Sequence, residues 1–384
     1  MNLHRIKAII YKEWREILRD RLFLSLAFFV PVSMMLVFGY GIKMDVENIP
    51  FAVLDQDRSA MSRDYLHLFM DSRYFDYQGD VQNERELEPL LADSKIRFAI
   101  IVPPRFQENL LSGRPAPVQS LIDGTFPFRT ATSKGYVIAI NNAFNGKLLA
   151  GFISKKMGLS PEQAASLVQP VKLELRYLYN QELKSIWSIA PAMMMFILMM
   201  TPPFLTALGV VREKENGSIY NIYSSTVTRA EFLIGKLLPY LGISAVNVVI
   251  LWFMAAQVFG APFKGDPLFF FLASVVYDSC TTGIGLLVSL FANTQVAAMM
   301  ITVVVTIIPS VLYSGLLVPI ASMDAASQFE AHLFPAMYYT DIAIGSFLKG
   351  IGMEQLWGRA GALLLYTLVL WLVSYLLFHK RVRA

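Results

Sequence analysis

Few groups in this chain could carry chemistry. Its four histidines, His4, His67, His332 and His379, lie far apart, and none stands at metal-ligand spacing with another. Nothing in the pattern supplies a Ser/His/Asp relay. A phosphate cradle of the form G-x-x-x-x-G-K-S/T is missing: Gly235-Lys236 is followed by Leu237, and Ala230 stands where the first glycine belongs. We therefore assign no catalytic residue and no metal ligand. Asp278 is different, because it sits alone in a long apolar run. A charge at that depth costs about 2.5–3.5 kcal/mol on insertion scales, so it must be paired, protonated or wet. It serves either as a proton relay or as a structural hydrogen-bonding group toward Ser279, Thr281, Thr282 or Asn247. The second role is favoured, since no intramembrane Lys, Arg or His partners it. The run Met193, Met194, Met195, Met199 and Met200 is flexible and polarizable. Met194, Met195 and Met199, with Ser314, could line a path for lipid-like or drug-like cargo, and ordinary packing beside Pro202 and Pro203 explains the methionines equally well.

The elements that position these groups follow from composition. The 384 residues are 55% hydrophobic and 16% charged, against roughly 25% charged in a soluble domain. Continuous apolar runs over 22–42, 186–211, 237–259, 267–291, 295–320 and 360–378 each match the roughly 20 residues that a helix needs to cross about 30 Å of hydrocarbon. The fold expected is an α-helical integral membrane protein with six transmembrane helices. Residues 1–21 are basic but contain Glu13, Glu16 and Asp20, unlike a cleavable signal peptide, so the first helix is expected to stay.

Basic residues crowd segment 1–21, the loop 212–236 and the tail 379–384, which places both termini and that loop in the cytoplasm. The insert 43–184 then lies outside. Its 17 basic and 17 acidic residues balance, and the net charge of +4 reflects membrane orientation, not nucleic-acid binding. Cys280 is the single cysteine, so the insert must fold on its hydrophobic core alone. Its pattern reads as α/β. Strands are expected at 49–54, 96–102, 118–122 and 171–177, and helices after Ser59 to about Met70, at 84–92, 105–111 and 128–157, and after Ser160.

Two segments carry mechanism. Residues 3–18 place Leu3, Ile6, Ile10, Trp14 and Ile17 on one helical face, with Arg5, Lys7, Lys12 and Arg15 off it, as in a helix lying on lipid phosphates or docking a partner. The loop 212–236 is long for a membrane hairpin. Gly217 ends the second span there, Asn216 or Ser218 can cap a short helix, and Thr228 caps the third span.

Arg212, Glu213, Glu215, Gly217, Ser218 and the closing Glu231-x-x-x-Gly235-Lys236 resemble the cytoplasmic signature of ABC-2 type permeases, the membrane half of one class of ABC exporter. Lys12-Glu13 with Arg15, Arg19, Asp20 and Arg21 is similar to that family's N-terminal connecting helix, which here includes Trp14. The Ser314-Gly315 to Pro319-Ile320 stretch and the segment Phe334-Pro335 to Lys349-Gly350 resemble its fifth-helix end and the extracytoplasmic segment that follows. This chain departs from the family at Ser225-Thr226-Val227 and at Asp324, where proline is common.

The resemblance implies an ABC-2 exporter fold with an inserted extracytoplasmic α/β domain, in a bacterial inner membrane. It implies a coupling helix at about Glu215 to Ser225, with Arg212, Glu213, Glu215, Gly217, Ser218, Ile219 and Tyr220 engaging a separate ATPase subunit. ATP and Mg are used by that partner and no cofactor is held by this chain. A second permease chain and membrane lipids are further partners, with a periplasmic adaptor where the cell has two membranes. The stretch 334–349 is expected as two short re-entrant helices, since its apolar pieces are too short to span. Two other classes stay open: an ion-coupled secondary transporter using Asp278, and a membrane-anchored receptor or scaffold acting through its outer domain.

Overall fold

The computed structural model describes residues 2–42, 45–168, 176 and 178–378. They fall into two compact units, one built from residues up to 43 and from 177 onward, the other from residues 44–176.

In the first unit six helices are long and apolar enough to cross a membrane: Arg21–Gly41, Ser185–Glu215, Arg229–Val258, Pro267–Phe291, Gln295–Tyr313 and Met353–Leu377. Several bounds differ from the apolar runs, because hydropathy reports the lipid-compatible stretch and a helix continues as long as its backbone bonds do. The second helix carries its charged end out to Glu215. The third begins at Arg229 under a Thr228–Glu231 capping box. The fifth stops at Tyr313, short of Ile320, where Gly315 adopts φ +79°. The sixth starts at Met353, before the apolar run.

The second helix is apolar around its whole circumference and is the most buried of the six. The first, third, fourth and fifth helices and the short helix Pro335–Ile344 all pack on it. Its prolines, Pro191, Pro202 and Pro203, are accommodated in helix, and Thr206 donates to the Pro202 carbonyl at 2.8 Å. The fourth helix approaches it through Gly285, where an added Cβ would lie 2.2 Å from the Pro203 carbonyl oxygen. That neighbour is backbone and cannot swing aside. Gly285→Val is therefore expected to destabilise the bundle by about 1–3 kcal/mol or more. Thermal melting of the purified chain tests this, and an unchanged midpoint would contradict the packing.

The first helix winds as a π-turn over Ser25–Phe29, and Asn247 Nδ2 of the third helix donates to Ala27 O at 2.8 Å. Such turns free a backbone carbonyl that a side chain can satisfy. Two more occur, at Met254–Val258 and Gly345–Lys349. The stretch expected as two re-entrant helices is one helix, Pro335–Ile344, running into the π-turn at Gly345. Its residues Ala336, Tyr339, Ile342 and Ala343 are buried against the second, fourth and sixth helices, so it is not a surface loop.

The second unit carries a four-stranded sheet: β1 (Ile49–Asp55), β2 (Phe75–Asp80), β3 (Phe98–Val102) and β4 (Gln119–Ile122), in the order β2-β1-β3-β4. β1 runs parallel to β2 and β3, and β4 is antiparallel to β3. β1 and β3 read as continuous apolar runs because both faces are covered. Phe51, Val53, Phe98 and Ile100 face Tyr65, Leu66 and Phe69 of the helix Ala60–Met70, while Ala52, Leu54, Ala99 and Ile101 face Leu87 and Ile96. β2 is absent from the apolar pattern because F-D-Y-Q-G-D is an edge strand, mostly exposed after Phe75. The long helix spans Pro127–Met157 and contributes Phe144 to the first face. The strand expected at 171–177 lies outside the described residues.

Candidate functional site

At the end of the second helix, four consecutive charged residues each reach a different element. Arg212 Nη1 meets Asp20 Oδ2, the N-cap of the first helix, at 2.5 Å. Glu213 Oε1 accepts from Lys12 of the N-terminal helix and from Lys236 Nζ of the third helix, the latter at 3.1 Å. Lys214 Nζ donates to the carbonyls of Ser289, Leu290 and Ala292, where the fourth helix ends. Glu215 Oε2 accepts from the Gln295 side chain at 2.7 Å, at the start of the fifth helix. A cation at a helix C-terminus and an anion at an N-terminus both complement the helix dipoles. The tetrad thus ties one helix end to five others.

The N-terminal helix, Leu3–Arg19, turns inward most of the stripe its amphipathicity suggests, with Glu13 added to it and Leu3 left out. Leu3 is exposed and Trp14 only half-buried, while Ile6, Glu13 and Ile17 form the buried face. The helix packs on the third membrane helix. The contact is close enough that a Cβ on Gly235 would lie 2.8 Å from Ile9 Cβ, so glycine is required there. Next to it, Lys236 is 1% exposed and bonds Glu13 Oε1 at 2.7 Å, and Tyr240 OH donates to Glu13 Oε2 at 3.1 Å. Burial pushes the Glu13 carboxyl up from its ordinary value, against the pull of Lys236. Burial works to lower Lys12, but its bond to Glu213 together with the attraction of Glu213, Glu16 and Glu13 outweighs it and leaves the ammonium held above its usual value. Glu16 joins Lys12 at 3.5 Å. Glu13, Glu16 and Glu213 lie within 4.8 Å of one another, yet Lys12 and Lys236 already supply positive charge among them. The cluster reads as an ion-pair network and not as a metal centre.

Further pairs fasten the same face. Glu231 accepts from Asn2 N at 2.6 Å and from Thr228 N at 2.9 Å, and Arg5 Nη1 donates to Thr226 O at 2.6 Å. After the tetrad, Gly217 turns at φ +73° and a short helix runs Ile219–Ser224. This corrects the range expected for the coupling helix: Glu215 belongs to the second membrane helix, and Ser218 Oγ turns back to Glu213 O at 3.4 Å. Ile219 is buried and Tyr220 exposed. Arg15 and Arg19 are exposed, with Arg15 over the Tyr11 ring. A groove of about 770 Å³ opens nearby, lined by Glu16, Arg19, Asp20, Arg212, Glu213 and Asn216.

The intramembrane residues lie apart from this network. Met194, Met195 and Met199 are fully packed in the main hydrophobic core, and Ser314 is buried, so in this conformation they line no open path. Asp278 is wholly buried, and none of the four side chains expected to bond its carboxylate does so. Thr281 donates to the Asp278 backbone carbonyl at 3.1 Å, Asn247 Nδ2 to Ala27 O, and Thr282 Oγ1 is itself unpartnered. Ser279 offers its carbonyl to Trp371 Nε1 at 3.1 Å. Both Asp278 oxygens lack a partner among the described residues, which removes the structural hydrogen bond favoured on sequence grounds.

Sequence reasoning missed Lys214, Tyr240 and Gln295, and saw Lys236 as a failed phosphate motif and as the close of the family signature, not as the partner of Glu13. The single usable signal was that Gly235-Lys236 sits at the start of an apolar run, where a lysine needs a partner.

Six long apolar helices, one of them buried at the centre with its charged end locked to its neighbours, describe a multi-pass membrane protein. A family model described as ABC-2 family transporter protein matches residues 21–376, and the chain belongs to that family. It is similar to the probable multidrug ABC transporter permease YbhS of Escherichia coli, 27% identical over 351 residues, covering 91% of this chain and 90% of that one. YbhR of the same organism, with the same description, is 25% identical over 379 residues and 99% of each chain. The Escherichia coli inner membrane transport permease YhhJ is 24% identical over 385 residues, 99% of this chain and 98% of its own. The chain is thus a bacterial-type ABC-2 permease, and membership in an ABC permease family implies an ABC ATPase as partner.

Proposed function

We propose that this chain is the permease half of an ATP-driven exporter, which passes force from a separate ATPase subunit through the end of its second helix to the bundle. The observation that carries this reading is the tetrad Arg212-Glu213-Lys214-Glu215, with each side chain fixed to a different element. A push on the short helix Ile219–Ser224 would reach the first, third, fourth and fifth helices and the N-terminal helix together. The adjoining mixed-charge groove supports an ATPase contact there, and Arg212, Glu213, Glu215, Gly217, Ser218, Ile219 and Tyr220 form or brace the contact. In this reading both termini and the loop 212–236 are cytoplasmic, the unit 44–176 is extracytoplasmic, and the helix Pro335–Ile344 dips into the outer leaflet.

The working unit contains two permease chains, identical or paralogous, with two ATPase domains that bind ATP and Mg. The outer unit meets its twin or a periplasmic adaptor. The cargo is hydrophobic or amphipathic, a reading supported by the Met-rich core helix and by the multidrug descriptions of the relatives. Purifying the tagged chain from its native membrane and assaying ATP-dependent movement of a fluorescent amphipathic dye in vesicles tests the proposal. An ATPase that copurifies and drives export is expected. Dye movement by the chain alone, without ATP, would overturn it.

A further inference from the structure

Asp278 has no exposed surface, and every element packed on the fourth helix leaves it without a countercharge. The charges of the second helix lie in its terminal tetrad, where Lys214 reaches the fourth helix only at Ser289 to Ala292. Those of the third helix are Arg229, Glu231 and Lys236, near its start. The fifth helix has no charged residue, and the sixth has Glu354 and Arg359 in its first two turns. Arg359 pairs with Asp341 of the helix Pro335–Ile344 at 2.8 Å. Three tyrosine hydroxyls of the packed elements are committed elsewhere: Tyr277 donates to Met195 O at 3.1 Å, Tyr339 bonds Ser274 Oγ at 2.7 Å, and Tyr366 donates to His332 O at 2.6 Å, while Thr282 Oγ1 is itself without a partner among the described residues. An ionised carboxylate in such a place would be unpaired and dry. One added proton removes that charge without moving any helix.

We propose that Asp278 is a proton-binding site, carrying one proton while the second and fourth helices are packed as seen here and giving it to water when they part. In release the carboxyl O–H bond breaks, the electron pair stays on oxygen and the proton goes to solvent; uptake is the reverse. Protonation then favours the packed bundle, so opening becomes easier as pH rises. The link to opening deepens the permease reading, whereas the protonated state stands without it.

Infrared difference spectra of the full chain in lipid nanodiscs test the protonated state with neither ATPase nor cargo. A carboxylic-acid carbonyl band is expected at neutral pH, absent in Asp278→Asn and shifted in Asp278→Glu. Identical spectra for wild type and Asp278→Asn would overturn the proposal. Opening has its own probe in Cys280, the single cysteine, which is fully buried two residues away. The ratio of Cys280 alkylation in wild type to that in Asp278→Asn should change about tenfold per pH unit over the range where the proton leaves, the slope one proton imposes. A ratio independent of pH would refute the coupling. Should Asp278→Asn fail to assemble, loss of the wild-type acid band at alkaline pH serves in its place, and a pH-invariant spectrum counts against the site. An acid band in a chain that exports nothing with ATP would sink the exporter reading alone.

Discussion

Lys236→Met is expected to release the N-terminal helix from the membrane bundle. Its ammonium is almost fully buried and bonds Glu13 at 2.7 Å and Glu213 at 3.1 Å, two carboxylates themselves 2% and 3% exposed. Removing it leaves Glu13, among the described residues, with the Tyr240 hydroxyl alone and Glu213 with Lys12 alone. Breaking a buried pair by deleting one partner typically costs about 3–5 kcal/mol, because a stranded charge remains. The N-terminal helix, held by few buried apolar side chains, is the element with least to offset that loss. Amide exchange over residues 3–19 should therefore quicken by roughly a hundredfold or more. Adding Glu13→Gln to Lys236→Met should recover part of the protection, since it removes one stranded charge. Unchanged exchange in the single variant would show that the network does not hold the helix.

Glu215→Lys, by contrast, is expected to leave folding intact and break the transmission of force. Glu215 is exposed, and its carboxylate holds Gln295 where the fifth helix begins. Reversing the charge sets a cation against the positive end of that helix and detaches one arm of the tetrad. In vesicles containing the ATPase, dye exported per ATP hydrolysed should fall about tenfold while the chain still reaches the membrane and binds its partner. Full coupling in this variant would count against the lever. Sequence alone would treat Glu213 and Glu215 alike. Their surroundings separate them, and Glu213→Lys should fail at folding because three buried or half-buried ammonium groups would then crowd one place.

Legibility followed how strongly burial shapes the sequence. The six apolar runs were plain because lipid and a dry core both demand unbroken hydrophobicity. Helix ends were not, since the polar residues that extend a helix, such as Arg212 to Glu215, look like loop. β2 escaped because an edge strand needs few apolar side chains. The family resemblance pointed to the loop 212–236, but the pairing of Glu13 with Lys236 spans 223 positions and leaves no local trace. A carboxylate on the buried side of a basic helix also breaks the pattern that amphipathicity looks for. Asp278 was conspicuous from the start, yet only coordinates could show that its neighbours had turned away.

The π-turn at Ser25–Phe29 gives the first helix an arithmetic of its own. One residue more or less within a regular helix rotates everything beyond it by about 100°. The wide turn absorbs such a residue locally, and the Asn247 amide on Ala27 pins where the absorption occurs. A single-codon deletion in the regular helix between Val30 and Met34 would swing Met35 and Gly39 from protein toward lipid, whereas one within Ser25–Phe29 would close the wide turn and leave them in place, so the length of this helix is constrained everywhere but at that turn.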